Sequence, residues 1–224
     1  MILYNFKITV NDKLYLKDPE TSDLGKKIVQ FSILLIDEIG FEAFTFKKLG
    51  EKISSNESSI YRYFESKHKL LVYLSTWYWS WIEYQLVFAT TNITDPIQRL
   101  EKAITAVTQS VIDDKNTPHI DESILNRIII SEFNKTLFTK VVDEENKEGF
   151  FHVYKRVIYR LIDIIKEVNP TYEYPKSLAS LVIDGALHQH YLNIHFKSIS
   201  DCYEKNPSTP FFKDLVIKQL VKIE

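Results

Sequence analysis

Between Asn56 and Lys67 the chain reads NESSIYRYFESK, and its two apolar side chains, Ile60 and Phe64, are four residues apart. At 100° per residue they fall on one side of a helix. With that side turned inward, Ser58 and Arg62 project outward, Tyr61 and Glu57 occupy one flank and Ser59 the other. Arg62 could donate a fork of bonds to guanine O6 and N7, and serine hydroxyls can pair with either donors or acceptors on a base edge. Tyr61 and Lys67 suit phosphate, a contact that fixes position without reading sequence. Glu57 would repel phosphate unless it accepts a bond from cytosine N4. Asn56 is a good N-cap for this helix. Thr45 and Lys47, with Lys48, open the preceding segment, where a helix N-terminus favours an anion. The other reading of such a face is a solvated one.

These side chains need two short helices to carry them. Asp18-Pro19 or Ser22 can start a first helix, along which Leu24, Ile28, Phe31 and Leu35 recur at helical spacing until Gly40. Thr45 caps a second, in which Leu49 and Ile53 share a face. Asn56 caps the third, and Ser66 a much longer one running to about Phe88. Two short helices a few residues apart, the second with a small polar face and a guanidinium, are what a helix-turn-helix needs to enter a major groove. Ahead of them, FKITVNDKLYL (residues 6–16) alternates apolar and polar residues around Asn11-Asp12. That pattern predicts a short β-hairpin, which must pack on the body or on a partner; its Lys7, Lys13 and Lys17 are candidates to reach phosphate. Further helices are expected from Asp95-Pro96, from Asp121, over about 140–168, from Pro175 to about Phe196, and from Thr209-Pro210 to the end. The expected divisions are 1–18, the hairpin extension; 19–71, the helix-turn-helix unit; and 72–224, an effector-binding and dimerisation bundle.

The stretch from Ile28 to Leu71 resembles the DNA-binding domain of the TetR family of bacterial transcriptional regulators. The resemblance rests on IDEIGFEAFTFKKLGEKI, on the Phe44-Thr45-Phe46 entry to the second helix, and above all on IYRYFESKHKLL. The last looks like the family's Leu-Tyr-x-x-Phe-x-x-Lys-x-x-Leu-Leu. The resemblance implies phosphate contacts at Tyr61 and Lys67, a homodimer paired through the last two helices, and a small molecule bound inside the C-terminal bundle. Ile53-Ser54-Ser55-Asn56 stands where the family usually has an Ala-Gly-Val-Ser type turn, so the flexible glycine is replaced.

In YLSTWYWSWIEYQLVF (residues 73–88), Trp77, Trp81 and Tyr84 share a face of a helix that is apolar nearly all round. Core packing is the first reading of that helix; the second is the wall of a cavity for an apolar or aromatic effector, with His188 as a polar companion. His188 and His195 share a face of their helix while His190 points away, so the three do not converge on one metal. Gly185 and Ala186, with Phe212, Leu215 and Val216, are the expected dimer surface.

Composition bounds the rest. Of 224 residues, 45% are apolar and 26% charged, with five glycines and seven prolines, which favours an all-α fold. A net charge of -2 gives no global attraction to a polyanion, so contact with double-stranded operator DNA must come from a local basic arrangement. A single cysteine, Cys202, excludes an internal disulfide framework and fits a cytoplasmic protein. Without a run of about 20 apolar residues, no membrane partner is expected. No cofactor, metal or enzymatic activity is expected either: Glu65 and His68 form a single Glu-x-x-His pair where a metal bundle needs two. A ligand-carrying or metal-binding helical bundle without DNA binding remains the alternative.

Overall fold

The computed structural model describes residues 8–111, 113, 117–201 and 208–221, and among them it contains eleven α-helices and no strand. They are α1 (Asp23–Ala43), α2 (Phe46–Lys52), α3 (Glu57–Tyr61), α4 (Lys67–Thr90), α5 (Pro96–Thr108), α6 (Glu122–Glu132), α7 (Asn134–Leu137), α8 (Val142–Lys147), α9 (His152–Val168), α10 (Pro175–His195) and α11 (Ser208–Leu220). The all-helical expectation holds. Its helix starts obey local capping: the side chains of Ser22, Thr45, Asn56, Asp95 and Asp121 each accept a bond from a backbone N–H three residues on. Each cap satisfies a donor that the first helical turn leaves without an internal partner.

The expected hairpin is a correction. Its first two residues, Phe6 and Lys7, lie outside the described residues, and from Ile8 onward no strand forms. Asn11 has φ -53, so the chain does not make the positive-φ turn that a tight hairpin requires, and its side chain instead caps a 3-10 turn over Asp12–Leu14. Packing accounts for the alternating pattern: Val10 and Leu14 are buried, and the Leu16 N–H donates to the Tyr63 carbonyl at 2.8 Å. Another difference lies beyond α6, where one long helix was expected over about 140–168. There the chain breaks at Gly149, which sits at φ 86 between α8 and α9.

The chain divides into two compact units, one of residues 1–80 with 111–152, the other of residues 81–110 with 153–224. In the first, α1 packs along α6 and kinks at Gly40, whose φ of 75 is open to glycine and costly for other residues. The corner after it is held from several sides. The Phe41 N–H donates to Glu132 Oε1 at 3.3 Å, and Lys135 Nζ bridges Glu132 and Glu42 at 2.8 Å each. Burial would lower the Lys135 ammonium, but these carboxylates outweigh it and hold its pKa above the ordinary value. Arg127 adds a two-pronged bond from α6 to Asp37 on α1, at 2.9 and 2.8 Å. Every residue of this unit's part of α4 from Leu70 to Ser80 is buried, as its nearly all-round apolar pattern requires.

In the second unit, α5, α10 and α11 pack together. The Phe212 ring lies against Gly185, and the Thr108 hydroxyl donates to that of Thr209 at 2.9 Å. Glu83 is the buried carboxylate of this unit. Arg156 reaches it through Nε at 3.0 Å and Nη2 at 2.5 Å, and Arg160 through Nε at 2.8 Å. Burial pushes its pKa up, and the two guanidiniums overcome that and hold it below the usual carboxylate value.

Candidate nucleic-acid interface

Ile60 and Phe64 are both 0% exposed, so α3 is fastened on the side expected. Phe64 meets the Tyr73 ring edge-on at 5.2 Å. The opposite side is open: Asn56, Glu57, Ser58, Tyr61 and Arg62 are exposed and Ser59 is half-buried. The α-helix itself is a single short segment that ends at Tyr61. Arg62 is its C-cap and keeps helical dihedrals, which leaves the guanidinium on the face with Ser58.

Some of these groups are already committed. Asn56 Oδ1 accepts from the Ser59 N–H at 2.8 Å and from its hydroxyl at 2.7 Å, so both side chains serve the start of α3. Tyr61 leans edge-on against Phe46, with centroids 4.9 Å apart, and is 47% exposed. On α2, Lys47 is exposed; Thr45 Oγ1 accepts from the Lys48 N–H, while Lys48 Nζ donates to the Ala43 carbonyl at 2.8 Å. Lys67, the other expected phosphate contact, has partners within the chain. Its Nζ lies 3.1, 3.2 and 3.3 Å from the carbonyls of Phe41, Glu42 and Phe44 and sits over the Phe41 ring. That ammonium braces the end of α1, and a phosphate would have to displace these bonds. The turn before α3 closes without the family's glycine because Ser54 itself takes φ 54 and the Ser55 N–H donates to the Gly50 carbonyl at 2.8 Å.

Tyr63 escaped the sequence reading. It is buried, and its hydroxyl pairs with Ser22, the α1 cap, at 2.8 Å. That bond, with Lys17 and Arg62 nearby, holds its phenol below the ordinary value. Only the partner across 41 residues distinguishes it from Tyr61, and short-range spacing does not show that partner.

The expected effector and dimer residues fall less tidily. Trp77 belongs to the first unit, and Trp81, Tyr84 and His188 to the second. Trp77 and Trp81 are buried, Tyr84 is partly exposed and stacked with Phe88, and His188 is exposed. None of the four lines the cavity of about 390 Å³ in the first unit, which lies among Ile33 and Leu34 of α1 and His119, Ile120 and Glu122. Of the expected dimer residues, Ala186, Phe212 and Val216 are buried within the chain, and Gly185 and Leu215 are half-buried. The exposed apolar residues of these two helices include Leu181, Ile194 and Phe211. Among the described residues no three His, Cys, Asp or Glu side chains gather as a metal-holding group, and His68 instead pairs with Glu145 at 2.9 Å. No described helix is long and apolar enough to cross a membrane.

Of the histidines of α10, His190 faces inward, donating from Nε2 to the Thr108 carbonyl at 2.9 Å. Burial pushes its pKa below the ordinary 6.5, against the opposing effect of that bond. Protonation therefore favours the unfolded chain, and the contribution is constant above about pH 6.5 and lost as pH falls toward the folded value. His190→Gln should flatten this dependence. Urea midpoints at about pH 7.5 and about pH 5.5 should differ less in the variant than in the parent, and equal differences would refute the assignment.

Residues 32–74 match the model for bacterial regulatory proteins of the tetR family, a span that opens within α1 and closes within α4. A search of curated protein sequences found no match. Among solved structures, the chain is similar to a bacterial regulatory protein in the tetR family from Rhodococcus RHA1, with TM-score 0.63 and 14% identity over 91% of this chain and 100% of that one. It is also similar to the superantigen PfiT, with TM-score 0.60 and 16% identity over 93% and 100%. A third similar structure is AibR in complex with isovaleryl coenzyme A and operator DNA, with TM-score 0.55 and 15% identity over 87% and 97%. At these identities the likeness is one of fold, whereas the family match falls on the segment that carries Ser58 and Arg62.

Proposed function

We propose, on the premise that the chain is a TetR-like regulator in its N-terminal domain and in its fold, that it works as a homodimeric, ligand-responsive repressor. In this reading α3 enters the major groove of a roughly palindromic operator, the two copies about one helical turn of DNA apart. The observation that carries it is the division of α3 into a fully buried Ile60 side and an open side bearing Ser58 and Arg62. Arg62 and Ser58 read base edges; Tyr61 and Lys47 hold phosphate; Asn56 and Ser59 set the helix start; Glu57 selects a cytosine amino group. Lys67 shapes the corner behind them. Residues 19–71 are assigned to DNA and the following helices to effector and dimer contacts.

Leu181, Ile194 and Phe211 supply exposed apolar surface for a second copy on α10 and α11, beside Leu215, while Phe212 and Val216 support that face from within the chain. The effector is a small molecule; the similar AibR is known in complex with isovaleryl coenzyme A and operator DNA. Support for it here is a cavity within the size range of ligand sites, one of whose walls belongs to α1. Release of DNA requires that the effector bind one arrangement of the recognition helices more tightly than the other.

Arg62→Ala tests the reading. The variant should fold normally and lose about 1–3 kcal/mol of discrimination between the protein's own promoter fragment and a scrambled duplex. Unchanged discrimination in a fluorescence-anisotropy titration would remove Arg62 from the interface and count heavily against DNA reading by α3.

A further inference from the structure

Ahead of α1, the chain is docked against the helix-turn-helix unit at several points. Leu14 is 1% exposed, the Tyr15 ring meets Tyr73 edge-on at 6.2 Å, and the Leu16 N–H bonds to the Tyr63 carbonyl. On the far side of Lys17, Asp18 caps a 3-10 turn over Pro19–Thr21, and the Pro19 backbone packs closely on α1 at Gly25. Lys17 is thus held between two anchored segments. Its Nζ stands 5.1 Å from the centroid of the Tyr63 ring, and Tyr63 directly follows Arg62.

Several other basic groups of this unit have partners within the chain, whereas Lys47 on α2 is exposed like Lys17. Lys13 pairs with Glu148, Lys52 with Glu38, Lys48 with a carbonyl and Lys67 with three. Lys17 and Arg62 are exposed, and neither has a carboxylate partner among the ion pairs of the described residues. Two cations therefore border one buried tyrosine at the end of the helix proposed to read bases. An ammonium seated on an aromatic face keeps its charge and loses part of its freedom, which suits it to a fixed anion.

We infer that Lys17 is a DNA-backbone contact supplied by the segment ahead of α1, binding a phosphodiester that flanks the bases read by Arg62. The inference rests on the reading of the chain as a DNA-binding protein. It gives the segment ahead of α1 a positioning role, in which docking aims one charge at the backbone, where contacts set register and carry no sequence information.

Lys17→Met is the informative variant, since it keeps an apolar stem over Tyr63 and removes the charge; Lys17→Arg restores the charge. Binding of the full-length protein to its promoter fragment and to a scrambled duplex would be titrated over a series of salt concentrations. Lys17→Met should weaken both duplexes by a similar factor, roughly 3- to 10-fold for each copy near 0.1 M salt, and reduce the slope of log K against log salt by about 0.9 per copy, about 1.8 for the dimer. Lys17→Arg should recover both, and Arg62→Ala should change mainly the ratio between duplexes. A Lys17→Met slope equal to the parent's, with the parent binding normally, would overturn the inference and leave the repressor reading intact. A parent that binds neither duplex would overturn both. Circular dichroism melts of each variant separate loss of contact from loss of fold, because the salt slope follows charge and the melt follows packing.

Discussion

Phe64→Ala is expected to cost about 3–5 kcal/mol of folding stability, the range for truncating a fully buried aromatic residue. Its ring is 0% exposed and packs on Tyr73, so removal leaves a cavity between the end of α3 and the start of α4. Against a total stability of about 5–15 kcal/mol, that is a large fraction, and the loss falls where the recognition helix is fastened. Urea denaturation followed by circular dichroism should show a clearly lower midpoint. DNA binding measured at a temperature where the variant remains folded should also be weaker, because α3 loses one of its two buried anchors. An unfolding free energy within about 0.5 kcal/mol of the parent's, as for a neutral surface change, would mean that α3 is not held by this ring.

Gly50→Ala separates two opposing effects by sign. Inside a helix, alanine is favoured over glycine by about 1 kcal/mol, so with open space around it the variant would be more stable than the parent. Here a Cβ at Gly50 would stand 2.7 Å from the Ser55 carbonyl oxygen and 3.4 Å from the Glu57 nitrogen. Both are backbone atoms, one in the turn and one in the first residue of α3. That turn must open to admit the methyl group, and overpacking of this kind costs about 1–3 kcal/mol. The variant should be destabilised overall. It should also lose specific DNA binding by at least about tenfold, since recognition depends on a placement that a shift of about 1 Å spoils. A stabilised variant with full discrimination would show that the turn has room, contrary to its geometry.

Both experiments probe a region that was largely legible in advance. Ile60 and Phe64 were both legible as buried by spacing alone, although α3 ends at Tyr61 and Phe64 anchors the turn that follows it. The caps were legible for the same reason: Ser22, Thr45, Asn56, Asp95 and Asp121 act within three residues of themselves, so the partners lie in the same few letters of sequence. The replaced glycine of the turn was visible too, although not its solution, in which Ser54 takes a positive φ of the kind rarely adopted by a serine.

Other assignments depended on partners far along the chain. Lys67 has the spacing of a phosphate ligand, yet three carbonyls at the end of α1 claim its ammonium. Of the histidines, His190 rather than His188 faces inward, because Thr108, 82 residues away, stands on that side of α10. Phe212 and Val216 have the character of a subunit interface, and α10 and α5 of the same chain take up that surface first. The segment around Asn11 alternates like a strand, but without a paired strand the alternation only records which residues, Val10 and Leu14, found a place to bury.

What the amino-acid order determined by itself was the all-helical class, most helix starts and the polar face offered by Ser58 and Arg62, since each depends on bonds and periodicities spanning one or two turns. What the tertiary structure alone decided was which charges stay exposed and which are absorbed at home: Lys17 exposed beside Tyr63, Lys67 bound to the carbonyls at the end of α1. That choice follows from desolvation and pairing across long sequence separations, where a side chain's partner is set by how helices pack and not by its neighbours in the chain.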